Sequence, residues 1–167
     1  MQPSMRIRPL EASDWPRVAA IYGEGIAGGL ATFESDCPSW VEWDAAHLSC
    51  CRLVASQGDE VVGWAAVSPI SRRPCYVGVA EASVYVAAGA RRQGIGRALL
   101  EALIRESEKH GFWTLQGTTL AENVASLGLQ VKCGFHVVGR RERIAVLNGV
   151  WHDTILTERR SHLAGTE

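Results

Sequence analysis

A chain of 167 residues is long enough for one domain with a real hydrophobic core, and the sequence predicts a single domain over residues 1–167. Its 17 basic and 18 acidic residues leave a net charge of −1, so no overall positive field recruits nucleic acid or an anionic membrane. The most apolar segment, 77–90, is too short to span a bilayer.

The first part of the chain predicts a strand and two helices separated by a loop. Residues 6–10 read as a short strand, and Pro9 places it at a sheet edge because proline lacks a backbone donor. A helix is expected to begin around residues 13–16. Residues 23–38 contain four glycines and little periodicity, which is typical of an exposed loop. A capping box at residues 39–42 begins the second helix.

The middle of the chain predicts a hairpin, a strand and a long helix. Residues 51–56 and 60–68 flank a short turn and form the hairpin. Residues 81–86, rich in β-branched and aromatic side chains, form the next strand. The clearest helix covers 92–110, where apolar residues share one stripe and charged residues another.

The last part of the chain continues to alternate strands with a helix. Strands are expected at 113–119, 135–139 and 151–158, with a short helix at 123–133. Because hairpins occur beside strand–helix alternation, the predicted fold class is α/β (α+β) with a mixed sheet.

The loop between the strand at 81–86 and the long helix carries the strongest chemical signal. Gly94 and Gly96 allow the backbone to bend and to approach a ligand closely. The free N–H groups and the positive dipole end of the helix suit a diphosphate. Arginines supply local positive charge around this loop: Arg91, Arg92 and Arg97.

Other phosphate motifs do not fit this loop. Leu99 stands where the dinucleotide fingerprint needs its third glycine, and no acidic residue follows at the expected distance. The absence of a Gly-Lys-Ser/Thr sequence excludes a nucleoside triphosphatase P-loop. From these residues alone one alternative stays open: the loop is the start of an ordinary surface helix, and its arginines bind no ligand.

Residues 91–96 resemble the R/Q-x-x-G-x-G/A pyrophosphate motif of the GNAT acetyltransferase superfamily. Further segments are similar, in chain order, to the phosphinothricin and methionine sulfoximine N-acetyltransferases: 31–34, 73–76, 80–86, 123–126, 132–135 and 151–153. This resemblance implies a mixed sheet whose central strands splay apart, with acetyl-coenzyme A in the gap. It also implies a small-molecule amine acceptor and a homodimer.

The resemblance assigns residues to the coenzyme and to the acceptor. It implies that backbone groups of one strand pair with the pantetheine arm: Val84, Tyr85 and Val86. It implies that the loop and helix start bind the diphosphate: Arg91, Arg92, Gln93, Gly94, Ile95, Gly96 and Arg97. Asn123 and Ser126 match coenzyme contacts across the gap. Phe33, Arg73 and Tyr76 match loops that line the acceptor pocket, where Arg73 would hold a carboxylate.

Glu81 is the candidate catalytic residue. Only an unprotonated amine attacks a thioester, so the reaction needs a general base. Glu81 stands alone in an apolar run, where burial would raise the pKa of its carboxyl group, and it matches the catalytic glutamate of the family. The alternative is a glutamate at a strand start that faces solvent.

One position departs from the family pattern. Gln130 stands where relatives have the His or Tyr that is assigned to protonate the departing thiolate, and glutamine cannot act as that acid. The thiolate of a thiol with a reference pKa of about 8.5 is an adequate leaving group even when no acid protonates it. His152, in a family-like segment at 151–153, is interpreted as structural or substrate-lining.

Five cysteines with no C-x-x-C pair predict reduced thiols in the cytoplasm and neither a disulfide framework nor a metal site. The sequence therefore predicts an acetyltransferase that uses acetyl-coenzyme A and acts on a small amino-acid-like amine. Two alternatives stay open: a related enzyme for a polyamine, aminoglycoside or peptide N-terminus, and a weakly active acetyl-coenzyme A binding module.

Overall fold

A seven-stranded sheet forms the centre of the computed structural model, which describes residues 4–167. The strands are β1 (Met5–Pro9), β2 (Leu53–Gln57), β3 (Glu60–Pro69), β4 (Val79–Val86), β5 (Thr114–Leu120), β6 (His136–Leu147) and β7 (Val150–Arg160). The α-helices are α1 (Trp15–Gly28), α2 (Trp40–Ala46), α3 (Ile95–Lys109) and α4 (Val124–Lys132). The strand order is β1-β2-β3-β4-β5-β7-β6, so β1 lies at an edge as Pro9 predicts.

The sheet is mixed, which confirms the predicted fold class. Only β4 and β5 run parallel, while every other neighbouring pair is antiparallel. β3 is buried along nearly its whole length because helices cover both of its faces. Trp64 and the opposite residue Tyr85 face α1 and α2, whereas Gly63 faces α3, where an added Cβ would lie 2.9 Å from Leu99.

The two halves of the sheet separate at its centre. β4 and β5 pair over only three positions, and the last of these joins Glu81 to Gln116. Beyond it, β4 continues to Val86 with β3 as its neighbour, and β5 continues to Leu120 with β7. The strands therefore diverge after Glu81, which opens a gap in the middle of the sheet.

Two predicted boundaries are wrong by several residues. Helix α1 extends to Gly28, into the segment expected to be a loop, and ends where Gly29 adopts the left-handed conformation (φ 72°). Buried residues such as Ile21 and Gly25 face the core, and this packing sustains the helix despite its glycines. Helix α3 begins only at Ile95, because Arg92 and Gly94 both have positive φ.

The β6–β7 hairpin is longer than predicted and lies at the other edge of the sheet. Asn148 and Gly149 adopt positive φ (50° and 77°), which is the two-residue turn that suits twisted hairpins. A bulge in β6 is held by Asp153, whose carboxylate accepts hydrogen bonds from the Arg143 backbone N–H (2.7 Å) and from Arg140 (2.6 Å). These donors lower the pKa of the Asp153 carboxyl group. No helix within residues 4–167 is long and apolar enough to cross a membrane.

Candidate functional site

A cavity of about 1180 Å³ occupies the gap between β4 and β5. It runs from the start of α3, at Arg91 and Gly94, past the diverging ends of the two strands. At its other end it lies under the segment between α1 and α2. The cavity thus joins the predicted diphosphate loop to the segment that carries Phe33, one of the predicted acceptor residues.

The diphosphate loop has the backbone shape of an anion site. Arg92 and Gly94 adopt left-handed conformations (φ 61° and 79°), and α3 begins directly after them. Alternation of left-handed residues with ordinary ones turns successive backbone N–H groups toward one side. The first N–H groups of α3 add further free donors and the positive end of the helix dipole.

Five of the seven predicted diphosphate residues line the cavity: Arg91, Arg92, Gly94, Ile95 and Gly96. The side chains of the other two have partners elsewhere. Gln93 accepts a hydrogen bond from Gln57 (3.0 Å), and Arg97 forms an exposed ion pair with Glu101 (2.8 Å) on the surface of α3. Neither Gln93 nor Arg97 is part of the cavity lining, so their assignment to the diphosphate stays a prediction.

The end of β4 lines the cavity with Val84, Tyr85 and Val86. Past Glu81 this part of β4 has β3 on one side and the cavity on the other, so one row of its backbone groups lacks a strand partner. Such an edge can pair with an extended amide-containing chain. The Tyr85 ring stacks on Trp64 with centroids 4.6 Å apart, and burial raises the pKa of its hydroxyl group.

Glu81 lies at the point where the strands part, half-buried and on the cavity wall. One of its oxygens, Oε2, accepts hydrogen bonds from Gln116 Nε2 (3.1 Å) and Thr118 Oγ1 (3.0 Å), both on β5. Within residues 4–167 no side chain donates to the other oxygen, Oε1. Two donors thus hold the carboxylate in place across the gap while leaving an oxygen for a proton.

Gln116 and Thr118 are functional candidates that the sequence did not predict. Their two-residue spacing on β5 places both on the face that carries Glu81. The pairing of β5 with β4 is a long-range contact, and no local motif signals it. The only local indication of a hydrophilic face is that polar residues occupy every second position of β5.

The far wall of the cavity is the start of α4. Asn123 caps this helix by accepting a hydrogen bond from the Ser126 N–H (3.2 Å), and its amide donates to the Leu30 carbonyl (3.2 Å). Both polar ends of Asn123 therefore have protein partners, and one amide N–H hydrogen stays available for its predicted contact with coenzyme A. Ser126 and Gln130 also line this wall.

Of the three predicted acceptor residues, the structure brings only Phe33 to the cavity. Arg73 and Tyr76 are exposed in the segment before β4, outside the cavity lining, and the Arg73 guanidinium lies over the Tyr76 ring at 6.0 Å. His152 packs edge-on against Phe33 (6.2 Å) and contacts Glu122 (3.2 Å). His152 therefore has a structural role, since it packs against Phe33 in the cavity wall.

An aromatic group around His47 closes the acceptor end of the cavity. His47 stacks on Trp43 with centroids 4.2 Å apart, and its Nδ1 lies 2.7 Å from the Trp43 carbonyl oxygen. Burial lowers the pKa of His47, so its ring is neutral near pH 7 and Nδ1 carries the proton that this contact needs. Trp43 and Trp64 are buried in the core, and His47 is a cavity residue that no sequence motif indicates.

The charge of the cavity differs between its two ends. Arg91 and Arg92 lie at the α3 end. Carboxylates line the opposite end together with Glu81: Glu34, Asp36 and Glu42. Glu42 is also part of the α2 capping box, where Ser39 lowers the pKa of its carboxyl group. The cavity is thus built for an anion at one end and for a cationic group at the other.

The similarity of this chain to known proteins agrees with this geometry. Residues 10–135 match the family model described as Acetyltransferase (GNAT) family, and the chain belongs to that family. It is therefore an N-acetyltransferase. A phosphinothricin N-acetyltransferase of Alcaligenes faecalis is 33% identical over 92% of this chain and 81% of the relative.

Two further relatives bear on the ligands. An L-methionine sulfoximine/L-methionine sulfone acetyltransferase of Pseudomonas aeruginosa is 26% identical over 90% of this chain and 91% of the relative. The crystal structure of a phosphinothricin acetyltransferase from Sinorhizobium meliloti in complex with acetyl-coenzyme A superimposes with a TM-score of 0.88. It is 27% identical, and the match covers 98% of this chain and 91% of that one.

Proposed function

We propose that this protein transfers the acetyl group of acetyl-coenzyme A to the primary amine of a small amino-acid-like acceptor, of the phosphinothricin or methionine sulfoximine type. The observation that carries the proposal is Glu81, fixed on the wall of a cavity that leads to an anion-binding helix start. The names of the relatives support the acceptor class.

The coenzyme would occupy the gap between β4 and β5. The loop at 91–96 offers N–H groups and two arginines to the diphosphate, and the free edge of β4 offers hydrogen-bonding groups to the pantetheine arm. The thioester would then lie near Glu81, where β4 and β5 part. Glu81 would take the proton of the attacking amine on its free Oε1, directly or through one water. Hydrogen bonds from Gln116 and Thr118 would keep the Glu81 carboxylate in this orientation.

A second acceptor class is favoured by the charge of the cavity. Carboxylates surround the acceptor end, and Arg73, which would recognise a substrate carboxylate, lies outside the lining. A cationic polyamine fits such surroundings by charge. The relatives' names favour the amino-acid-like class, and we place it first.

A thiol-release assay with acetyl-coenzyme A separates these classes. Methionine sulfoximine and phosphinothricin are expected to give kcat/KM values at least about tenfold above spermidine, aminoglycosides and peptides. Faster turnover of spermidine would replace the first acceptor class by the second. Tight acetyl-coenzyme A binding with no turnover of any amine would instead favour a binding module.

We further propose that the chain folds as one domain over residues 1–167 and works in the cytoplasm as a homodimer. A single sheet that spans the described chain supports the first point, and the use of acetyl-coenzyme A with five free thiols supports the second. For the dimer, the β6–β7 hairpin exposes large apolar side chains on the sheet edge: Val137, Val138, Ile144, Val146, Val150 and Trp151. Several large exposed apolar side chains on one hairpin are typical of an interface.

The substitution Trp151→Glu tests the dimer. Trp151 is 53% exposed and lies directly opposite Val146, so a carboxylate there would put a charge among the exposed apolar side chains of the hairpin. We expect sedimentation analysis to show a dimer for the wild type and a monomer for Trp151→Glu. Val41→Glu, on α2 and 74% exposed, is the control and should stay dimeric. A monomeric wild type would exclude the proposed interface.

A further inference from the structure

The side chain of Gln130 is fully occupied by three hydroxyl groups. Its Nε2 donates to Thr119 Oγ1 (2.8 Å) and to Ser126 Oγ (3.1 Å), and its Oε1 accepts from Thr157 Oγ1. A primary amide has two N–H hydrogens and one carbonyl oxygen, so no donor is left for a ligand. Gln130 therefore does not touch the departing thiolate as the His or Tyr of relatives would.

Glycine at position 117 leaves the space that the Gln130 amide occupies. An added Cβ at Gly117 would lie 2.6 Å from Gln130 Oε1 and 2.7 Å from Thr157 Oγ1, so only glycine leaves room for the amide on β5. Gly117 and Thr119 share one face of β5, while Gln116 and Thr118 share the opposite face with Glu81. The base and the amide network thus lie on opposite faces of the sheet.

The hydroxyl groups of Ser126 and Thr119 each keep one hydrogen to donate. A hydroxyl oxygen that accepts from Gln130 has its own O–H still available. Within residues 4–167 neither hydroxyl donates to a protein acceptor, although Thr119 is only 6% exposed. Both residues line the cavity. A buried hydroxyl without an acceptor is costly unless a ligand supplies one.

We infer that Gln130 is a positioning residue that turns the hydroxyl hydrogens of Ser126 and Thr119 toward the cavity, where they donate to the sulfur atom of departing coenzyme A. The amine nitrogen attacks the thioester carbon from the Glu81 side, and its lost proton goes to Glu81. The carbon–sulfur bond breaks and its electron pair goes to sulfur. The sulfur departs as a thiolate held by two O–H donors and takes its proton from water after release.

This inference rests on the proposed acetyl transfer only for the placement of the coenzyme. It explains how the family's acid can be absent: hydrogen bonds to the charged thiolate stabilise it, so it can depart before it is protonated. Substitution of Gln130 by His or Tyr should accordingly lower kcat, because either ring removes the amide that orders both hydroxyls.

A binding comparison at about pH 9, where a thiol with a reference pKa of about 8.5 is largely ionised, tests the inference. Calorimetry would measure the affinities of coenzyme A and of desulfo-coenzyme A, which lacks the sulfur. We expect Ser126→Ala, Thr119→Val and Gln130→Met each to lower the ratio of the two affinities by about tenfold. Turnover by these variants should lose kcat with little change in the acceptor KM.

Val124→Ala is the control, since Val124 lies on the same helix and is 73% exposed. Its affinity ratio should equal that of the wild type. Equal losses for both coenzymes, or an unchanged ratio in Ser126→Ala and Thr119→Val, would show that the network is only structural. These two variants decide the matter even if Gln130→Met fails to fold. Failure of the wild type to bind either coenzyme would contradict the proposed function instead.

Discussion

Replacing Glu81 by glutamine is expected to lower kcat/KM by about 10²–10⁴-fold at pH 7 and to leave acetyl-coenzyme A affinity nearly unchanged. Glutamine keeps the size and hydrogen-bonding shape of the side chain but cannot accept the proton of the amine. Gln116 and Thr118 can still hold it in the same place across the gap. The loss should therefore be chemical and should not reflect unfolding.

The deficit of Glu81→Gln should shrink as the pH rises, because more of the amine is then already deprotonated. The control is Glu34→Gln, which removes another carboxylate of the same cavity wall and should retain most of the activity. Steady-state kinetics from pH 6 to about pH 10 would measure both effects. A Glu81→Gln enzyme with wild-type activity at pH 7 would remove Glu81 from the mechanism.

Replacing Gly94 by valine is expected to weaken acetyl-coenzyme A binding by about 100-fold or more. Gly94 adopts φ 79° at the start of α3, and a β-branched residue is strained in that conformation. The side chain would also stand where the diphosphate must approach the loop. Calorimetry with acetyl-coenzyme A measures the loss, and circular dichroism checks that the variant is folded.

Gly149→Val is the matched control for Gly94→Val. Gly149 has nearly the same φ (77°) and likewise has open space around it, but it lies in the turn of the β6–β7 hairpin. It should cost a similar backbone strain without changing coenzyme affinity. Unchanged affinity in a folded Gly94→Val protein would mean that the diphosphate binds elsewhere.

The fold and the tight turn of the loop at 91–96 could be predicted because their signals are local. The capping box of α2 and the hairpin of β2 and β3 are set by a few neighbouring residues, and the structure confirms them. The extent of α1 could not be read in this way, since tertiary packing overrides the low helix propensity of its glycines. The Asn148-Gly149 dipeptide is a local signal for the hairpin turn, although the predicted strand before it ends at residue 139.

The site was harder to predict because its parts come from distant segments. Glu81 stood out as one carboxylate in an apolar strand, but its partners Gln116 and Thr118 lie 35 and 37 residues away. The sequence shows that Gln130 cannot serve as the acid, but it does not show that the Gln130 amide connects α4 to β5 and β7. Arg73 was expected at the acceptor, and the structure places it on the surface. Contacts of this kind depend on the sheet register, which local patterns do not specify.

The central claim, that acetyl transfer takes place where β4 and β5 part, is tested most directly by a crystal structure with coenzyme A and methionine sulfoximine. We expect the diphosphate at the loop of residues 91–96 and the sulfur in the gap. The acceptor amine should lie within about 3 Å of Glu81 Oε1, or be linked to it by one water. A coenzyme bound outside the gap, or an amine with no such link to Glu81, would contradict the account.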